Sequence, residues 1–303
     1  MPAATNKNIF SKHKDMIISC SNTRRNRCFR QFNPFQPGGR NGTFCKFPPV
    51  HGVKNVMRGD FWLKRWEDNE IRFHQDRVNT YLERFWNQLG LQRSGQVFVP
   101  LCGKSRDLLW LSNEGHPVLG VEISPIAVEA FFNENDMAAS RRIEPRFTRW
   151  YHGSTELLCG DFFDLGVLEL QGVTGVYDRA SLVAFPPEQR KSYVSHLTSL
   201  LPDDVGMLLV ATEYPNHEME GPPFSVSEDE ICELYRDSFN VCLLHIHEAL
   251  NENPHFRERG LSKFLFIFVG DLFPTFIPRC YQDIQILEPT YTLTSIRYSI
   301  TDL

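Results

Sequence analysis

No stretch of this chain approaches the roughly 20 consecutive apolar residues that a membrane-spanning helix requires. The segment LSKFLFIFVG at 261–270 is too short and reads as a buried strand. The eight cysteines (Cys20, Cys28, Cys45, Cys102, Cys159, Cys232, Cys242 and Cys280) include no CxxC pair, and their spacing matches no zinc pattern. No metal is therefore expected. A chain of 303 residues has enough apolar side chains to build a core without disulfide staples. The cysteines read as reduced thiols, which points to the cytoplasm. An excess of positive charge is also missing. The net charge is −5, so nothing global argues for nucleic acid as the partner of the main domain.

One local shortage divides the chain. Between Asp15 and Asp60 there is no acidic residue, while Arg24, Arg25, Arg27, Arg30 and Arg40 accumulate without hydrophobic periodicity. Residues 1–56 read as a basic extension that does not fold alone: a flexible leader, a transit peptide, a tether, or sequence upstream of a start at Met57. Residues 271–303 have three prolines and no clear periodicity, and are expected to be a tail.

Between these ends, strand and helix patterns alternate. Strands are predicted at 96–101, 116–123, 155–159, 172–178, 205–213, 241–247 and 263–269, and helices at 77–89, 105–113, 125–135, 188–201 and 227–239. Pro125 suits the first turn of its helix, and Ser227 and Glu230 stand at capping-box spacing. The pattern predicts an α/β fold: a Rossmann-like, doubly wound, mostly parallel sheet of seven strands, with helices on both faces. The last two predicted strands, joined only by a loop, are expected to pair antiparallel at one edge.

The stretch VFVPLCGKSRDLLWL (97–111) contains Gly103-Lys104-Ser105, the ending of a phosphate-binding loop. That motif needs a glycine five residues before Gly103, and Phe98 stands there. The dinucleotide pattern GxGxxG is missing too. A strand, a glycine turn and a helix remain, and in doubly wound folds ligands bind above such turns. Glu122, nineteen residues beyond Gly103 at the end of the next strand, has the chemistry to accept hydrogen bonds from ribose hydroxyls. A ribose without a row of phosphates suits S-adenosylmethionine, with NAD as the rival. Lys104 reads as a surface residue at a helix start.

The blocks FWLKRW (61–66), FHQ (73–75), VPLCGKS (99–105), GVEIS (120–124), CGDFFD (159–164), YDRASL (177–182) and GPPFSV (221–226) together resemble the thiopurine S-methyltransferase family, especially its bacterial members. The resemblance covers about 58–270. It implies an S-adenosyl-L-methionine-dependent enzyme, with S-adenosyl-L-homocysteine as product and a thiol as acceptor, working as a monomer. It assigns Trp66, Leu101, Gly103, Glu122, Asp161, Phe162 and Arg179 to the cofactor, Phe73 and Arg179 to the substrate, and catalysis to Arg179. Read without the resemblance, Trp66, Leu101 and Phe162 suit core packing, and Arg179 suits an ion pair with Asp178 or another acid. His74 reads as a hydrogen-bonding scaffold residue. Arg72 departs from the glycine that usually precedes FHQ, a change that adds positive charge near an anionic substrate or alters closure of the N-terminal segment. Soft anions such as halides, thiocyanate, and selenium or tellurium compounds stay open as acceptors. So does a non-catalytic role in binding S-adenosylmethionine.

Overall fold

The computed structural model describes residues 59–271. The expectations for the basic extension, for Met57 and for the tail lie outside those residues, as do Cys20, Cys28, Cys45 and Cys280. The other four cysteines are free thiols.

Helices α1 (Gly59–Glu67) and α2 (Thr80–Phe85) precede the first strand, and a 3-10 turn at Trp86–Leu89 completes the run predicted as one helix. Then β1 (Gln96–Val99), α3 (Asp107–Asn113), β2 (Val118–Glu122) and α4 (Pro125–Glu134) alternate as expected. Ser124 caps α4 and Pro125 occupies its first turn. Strands β3 (Ser140–Ile143), β4 (Thr148–His152) and β5 (Thr155–Cys159) follow directly on one another. After α5 (Val167–Leu170) come β6 (Val173–Arg179), α6 (Pro187–Leu200), β7 (Gly206–Glu213), α7 (Glu228–Tyr235), β8 (Val241–Glu248), α8 (Pro254–Glu258) and β9 (Leu265–Asp271).

The sheet order is β3-β4-β5-β2-β1-β6-β7-β9-β8. Strands β5, β2, β1, β6 and β7 run parallel. The predicted fold class is therefore the observed one. Two details differ. Among the described residues the sheet has nine strands rather than seven, because β3 and β4 form an antiparallel hairpin beside β5. Also, α8 and not a loop alone joins the last two strands; β8 and β9 do pair antiparallel at one edge as expected, and β9 is antiparallel to β7 as well.

Both faces of the sheet are buried. Phe98, Leu119, Leu158, Val176 and Leu209 pack with α6 and α7 through Tyr193, Val194, Leu197 and Ile231. The alternate residues Val97, Val99, Val118, Leu157, Tyr177 and Leu208 pack with α2, α3 and α4 through Leu82, Leu108, Phe131 and Phe132. A period of two in these central strands sends successive side chains to opposite layers, so they read as nearly continuous apolar runs. A satellite cluster of Tyr214, Ala249, Leu250, Phe256, Leu261 and Phe264 stands apart from both layers. Among the described residues, no helix is long and apolar enough to cross a membrane.

The capping box proposed for α7 is only half present. Ser227 Oγ accepts from the Glu230 N–H at 3.3 Å. The Glu230 carboxylate instead accepts from Arg190 Nη1 at 2.6 and 2.7 Å. Arg190 is almost fully buried, and its other donors reach the carbonyls of Phe185 and Ser225. A buried guanidinium needs a counter-charge more than a helix end needs a second cap.

Candidate functional site

Strand β1 is followed by α3 and β2 on one side of the sheet and neighbours β6 on the other. The gap between β1 and β6 is thus where the winding direction reverses, and crevices form there at the carboxyl ends of the strands. A cleft of about 1260 Å³ occupies that position.

Its first wall comes from the ends of β1, β2 and β5. After β1 the chain turns sharply: Leu101 has φ +44° and Gly103 φ +54°. A left-handed backbone at leucine is strained, and one glycine cannot relieve both positions. Ala180, just beyond β6, is a second left-handed non-glycine residue, at φ +69°. Both strained residues line the cleft, one on each side of the switch point. The turns are tied together where the Ser181 hydroxyl donates to the Pro100 carbonyl at 2.9 Å.

Gly103 N–H donates to Glu122 Oε2 at 2.9 Å, and Ser124 N–H donates to Oε1 at 2.8 Å. Glu122 is only 5% exposed. Burial raises its pKa to about 6 despite these backbone donors, so the carboxylate is ionised at neutral pH. Beyond these backbone N–H groups the carboxylate keeps acceptor capacity for a further donor. At the end of β5, Asp161 Oδ1 accepts from Phe163 N–H at 2.9 Å and caps a 3-10 turn.

The aromatic groups divide their work in a way their order does not reveal. Phe162 is buried against Tyr193 and His196, at centroid distances of 4.9 and 5.2 Å. Phe163 is 44% exposed and also lines the cleft. Nothing in FFD distinguishes the two rings before the turn sets their directions. Trp66, buried on α1, covers the glycine turn: a Cβ added at Gly103 would lie 3.3 Å from its ring. Phe73 packs edge-on against Trp62 and Trp66, both at 5.6 Å, and stays 40% exposed toward the cleft.

Arg179 joins the cleft as half of an ion pair. Its Nε donates to Asp107 Oδ2 at 2.7 Å and its Nη2 to Ser105 Oγ at 2.9 Å. Asp107 is completely buried and also accepts from the Tyr177 hydroxyl and the Asn79 N–H. The ion-pair expectation for Arg179 thus holds, with Asp107 rather than its neighbour Asp178 as partner. Asp178 points to the other layer, where it accepts from the Tyr193 hydroxyl at 2.7 Å. Lys104 is not a free surface residue. Its side chain is 13% exposed and pairs with Glu134 of α4 at 2.6 Å. Burial and the Lys104 charge hold the His74 pKa below its ordinary value, so its imidazole is neutral at pH 7.

The opposite wall was not anticipated. It includes Thr212 at the end of β7, Phe264 and Phe266 leading into and along β9, Pro222 and Pro223, and His255, Phe256 and Arg259 at α8. Thr212 Oγ1 and Gln189 Nε2 are buried, line the cleft and lack a hydrogen-bond partner among the described residues. Buried orphans of this kind are rare and expensive unless a ligand or solvent meets them. Among the described residues, no cluster of three or more His, Cys, Asp or Glu side chains is arranged to hold a metal ion.

Residues 57–265 match the family model described as Thiopurine S-methyltransferase (TPMT). A thiopurine S-methyltransferase of Nitrosospira multiformis is 49% identical over 207 residues, spanning 68% of this chain and 94% of that protein. One from Methylococcus capsulatus is 45% identical over 208 residues, again covering 68% and 94%. Among solved structures, the 1,6-didemethyltoxoflavin-N1-methyltransferase of Burkholderia thailandensis, with its substrate and S-adenosylhomocysteine bound, aligns at 15% identity. It covers 70% of this chain and 86% of that one, with a TM-score of 0.48.

Proposed function

The chain belongs to the thiopurine S-methyltransferase family and is an S-adenosyl-L-methionine-dependent methyltransferase, and from that premise we propose that it methylates the sulfur of planar, heterocyclic or aromatic thiols. Bound in the cleft, S-adenosyl-L-methionine would supply a methyl group already activated by its sulfonium, the acceptor thiolate bonding to the methyl carbon as the methyl–sulfonium bond breaks and S-adenosyl-L-homocysteine is released.

The residues present fit that cofactor. The observation that carries the reading is Glu122, a buried carboxylate with acceptor capacity still available at the switch point. It is proposed to accept from the ribose hydroxyls. Gly103 and Leu101 bring backbone close to the methionine part, and Trp66 excludes water above it. Asp161, Phe162 and the more exposed Phe163 hold the adenine, the carboxylate reading its amino group and an aromatic face covering the ring. A dry, aligned encounter is the protein's main contribution to such a displacement.

On the acceptor side, Phe73 is positioned to stack on a planar ring. The thiol must lose its proton to solvent before attack, and heterocyclic thiols are acidic enough to do so unaided. Arg179 keeps a permanent charge beside the cleft, which favours the thiolate over the thiol. Asp107 holds that guanidinium in place. His74, neutral and partly covered, orients the segment rather than acting as a base. The enzyme is proposed to act as a cytoplasmic monomer on small molecules.

The test is methyl transfer by the full chain, supplied with S-adenosyl-L-methionine and a panel of a thiopurine, aromatic thiols, selenite and iodide. Turnover of the thiols is expected. Turnover of selenite or iodide alone would replace the thiol acceptor by a soft anion. Binding of S-adenosyl-L-homocysteine with no turnover of any acceptor would leave a binding protein.

A further inference from the structure

Charge around the cleft is segregated. The acids Glu122 and Asp161 stand at the ends of β2 and β5, each held by backbone N–H groups. Three of the cations lining the cleft are paired with acids: Arg65 with Glu70 at 2.9 Å, Lys104 with Glu134 at 2.6 Å and Arg179 with Asp107 at 2.7 Å. Among the described residues, Arg72 and Arg259 make no ion pair, and both line the same cleft. They come from the segment before α2 and from the end of α8, yet their fields meet at one side chain. After burial, Arg72 and then Arg259 depress the His255 pKa, with Glu258 acting weakly in the opposite sense.

These cations adjoin an aromatic wall. The His255 ring lies 4.1 Å from Phe256, Phe256 lies 4.1 Å from Phe264, and Phe264 lies 5.4 Å from Phe266. Phe266 is the strand partner of Thr212, whose hydroxyl has no hydrogen-bond partner among the described residues. Arg72 directly precedes Phe73, the exposed ring at the other side. Flat apolar surfaces bordered by uncompensated guanidinium groups match a planar molecule with an anionic substituent. Carboxylates in particular take the planar fork of arginine in two parallel hydrogen bonds.

We propose that Arg72, His255 and Arg259 form an anion-recognition rim, by which this enzyme selects acceptor thiols that carry a carboxylate on their ring. The selection rests on the thiol reading of the cleft. Of the three, Arg72 is the discriminating residue, because it is the only one supplied from the segment that also presents Phe73. The side chains at the rim are largely exposed, so each contact is discounted by water and salt. Together they are expected to give about a tenfold preference, equivalent to about 1.4 kcal/mol.

The experiment compares 4-mercaptobenzoate with its neutral isostere 4-mercaptobenzamide. The native enzyme is expected to show about tenfold higher kcat/KM for the acid, mostly through KM, and to lose that margin at high salt. Arg72→Gln is expected to cut the preference several-fold with turnover of the amide unchanged, and Arg72→Lys to restore part of it. Equal kcat/KM for the two thiols, or an unchanged preference in Arg72→Gln, would overturn the rim while leaving thiol methylation intact. If neither thiol turns over, the thiol reading fails. The rim is then judged by calorimetric titration of 4-(methylthio)benzoate and its amide into the S-adenosyl-L-homocysteine complex. Tighter binding of the acid, weakened in Arg72→Gln, supports it, and equal binding overturns it.

Discussion

On the β2–β5 side of the cleft, each acid is held by backbone from its own or an adjoining turn. Glu122 takes the N–H groups of Gly103 and Ser124, and Asp161 takes that of Phe163. On the β7–β9 side, among the described residues, Thr212 Oγ1 has no hydrogen-bond partner and Arg259 makes no ion pair. Carboxylates pre-aligned by backbone, with acceptor capacity left, suit on one side a ligand that is always the same. Unfinished hydrogen bonds on the other suit a ligand that brings its own polar groups, and leaving them open costs stability that the bound molecule can return. Arg179 stands between the two, committed to Asp107 yet facing the cleft.

The largest effect is expected at that junction. Arg179→Ala leaves Asp107 buried without its counter-charge, and should cost about 3 kcal/mol or more of folding free energy in urea titration. Adding Asp107→Asn should recover much of the stability but not the methyl transfer. Recovery of both would make Arg179 purely structural. Next comes Glu122→Gln. Losing charge-assisted bonds should weaken S-adenosyl-L-homocysteine by about 100-fold in calorimetry, on the order of 3 kcal/mol. A variant that binds normally would dissolve the contrast between the two sides.

The same carboxylate predicts a pH dependence. Glu122 titrates at about 6, and a proton on it removes an acceptor. The affinity for S-adenosyl-L-homocysteine should be flat above neutrality and fall by up to about tenfold per pH unit below 6. Stability without ligand should move the other way. Burial raises Glu122 and Asp178 to about 6, so the folded state holds protons that the unfolded chain releases. Their contribution is present at low pH and is lost as pH rises toward 6. Melting curves across pH 4.5–7.5, with and without ligand, check both signs. The smallest effect is expected from Thr212→Val. It should leave S-adenosyl-L-homocysteine binding and stability nearly unchanged, within about 1 kcal/mol, while altering the acceptor KM a few-fold.

The hairpin β3–β4 shows where sequence periodicity stops being informative. Its first strand, Ser140-Arg141-Arg142-Ile143, is exposed at every position, so no buried face imprints an apolar alternation. Glu230 shows the limit of local motifs: correct capping spacing was outweighed by Arg190, forty residues away. Lys104, a surface residue by composition, is covered because α4 brings Glu134 to it. Phe162 and Phe163 are equivalent as letters, and only the turn capped by Asp161 buries one ring and presents the other.

The alternating apolar runs indicated the doubly wound sheet, the seven family blocks indicated its cofactor, and Gly103 at the first turn and Glu122 at the end of the second strand marked one wall of the cleft that the structure describes. Each of those features lies in one short stretch of chain and is legible from its own few residues, even where, as between Gly103 and Glu122, a hydrogen bond joins two of them. The partner of Arg179, the orphaned Thr212 and the meeting of Arg72 with His255 and Arg259 are different. Each joins segments 70 or more residues apart, or depends on a bond that is not made. Charge balance and burial at such places are properties of the packed molecule, and only the tertiary structure decided them.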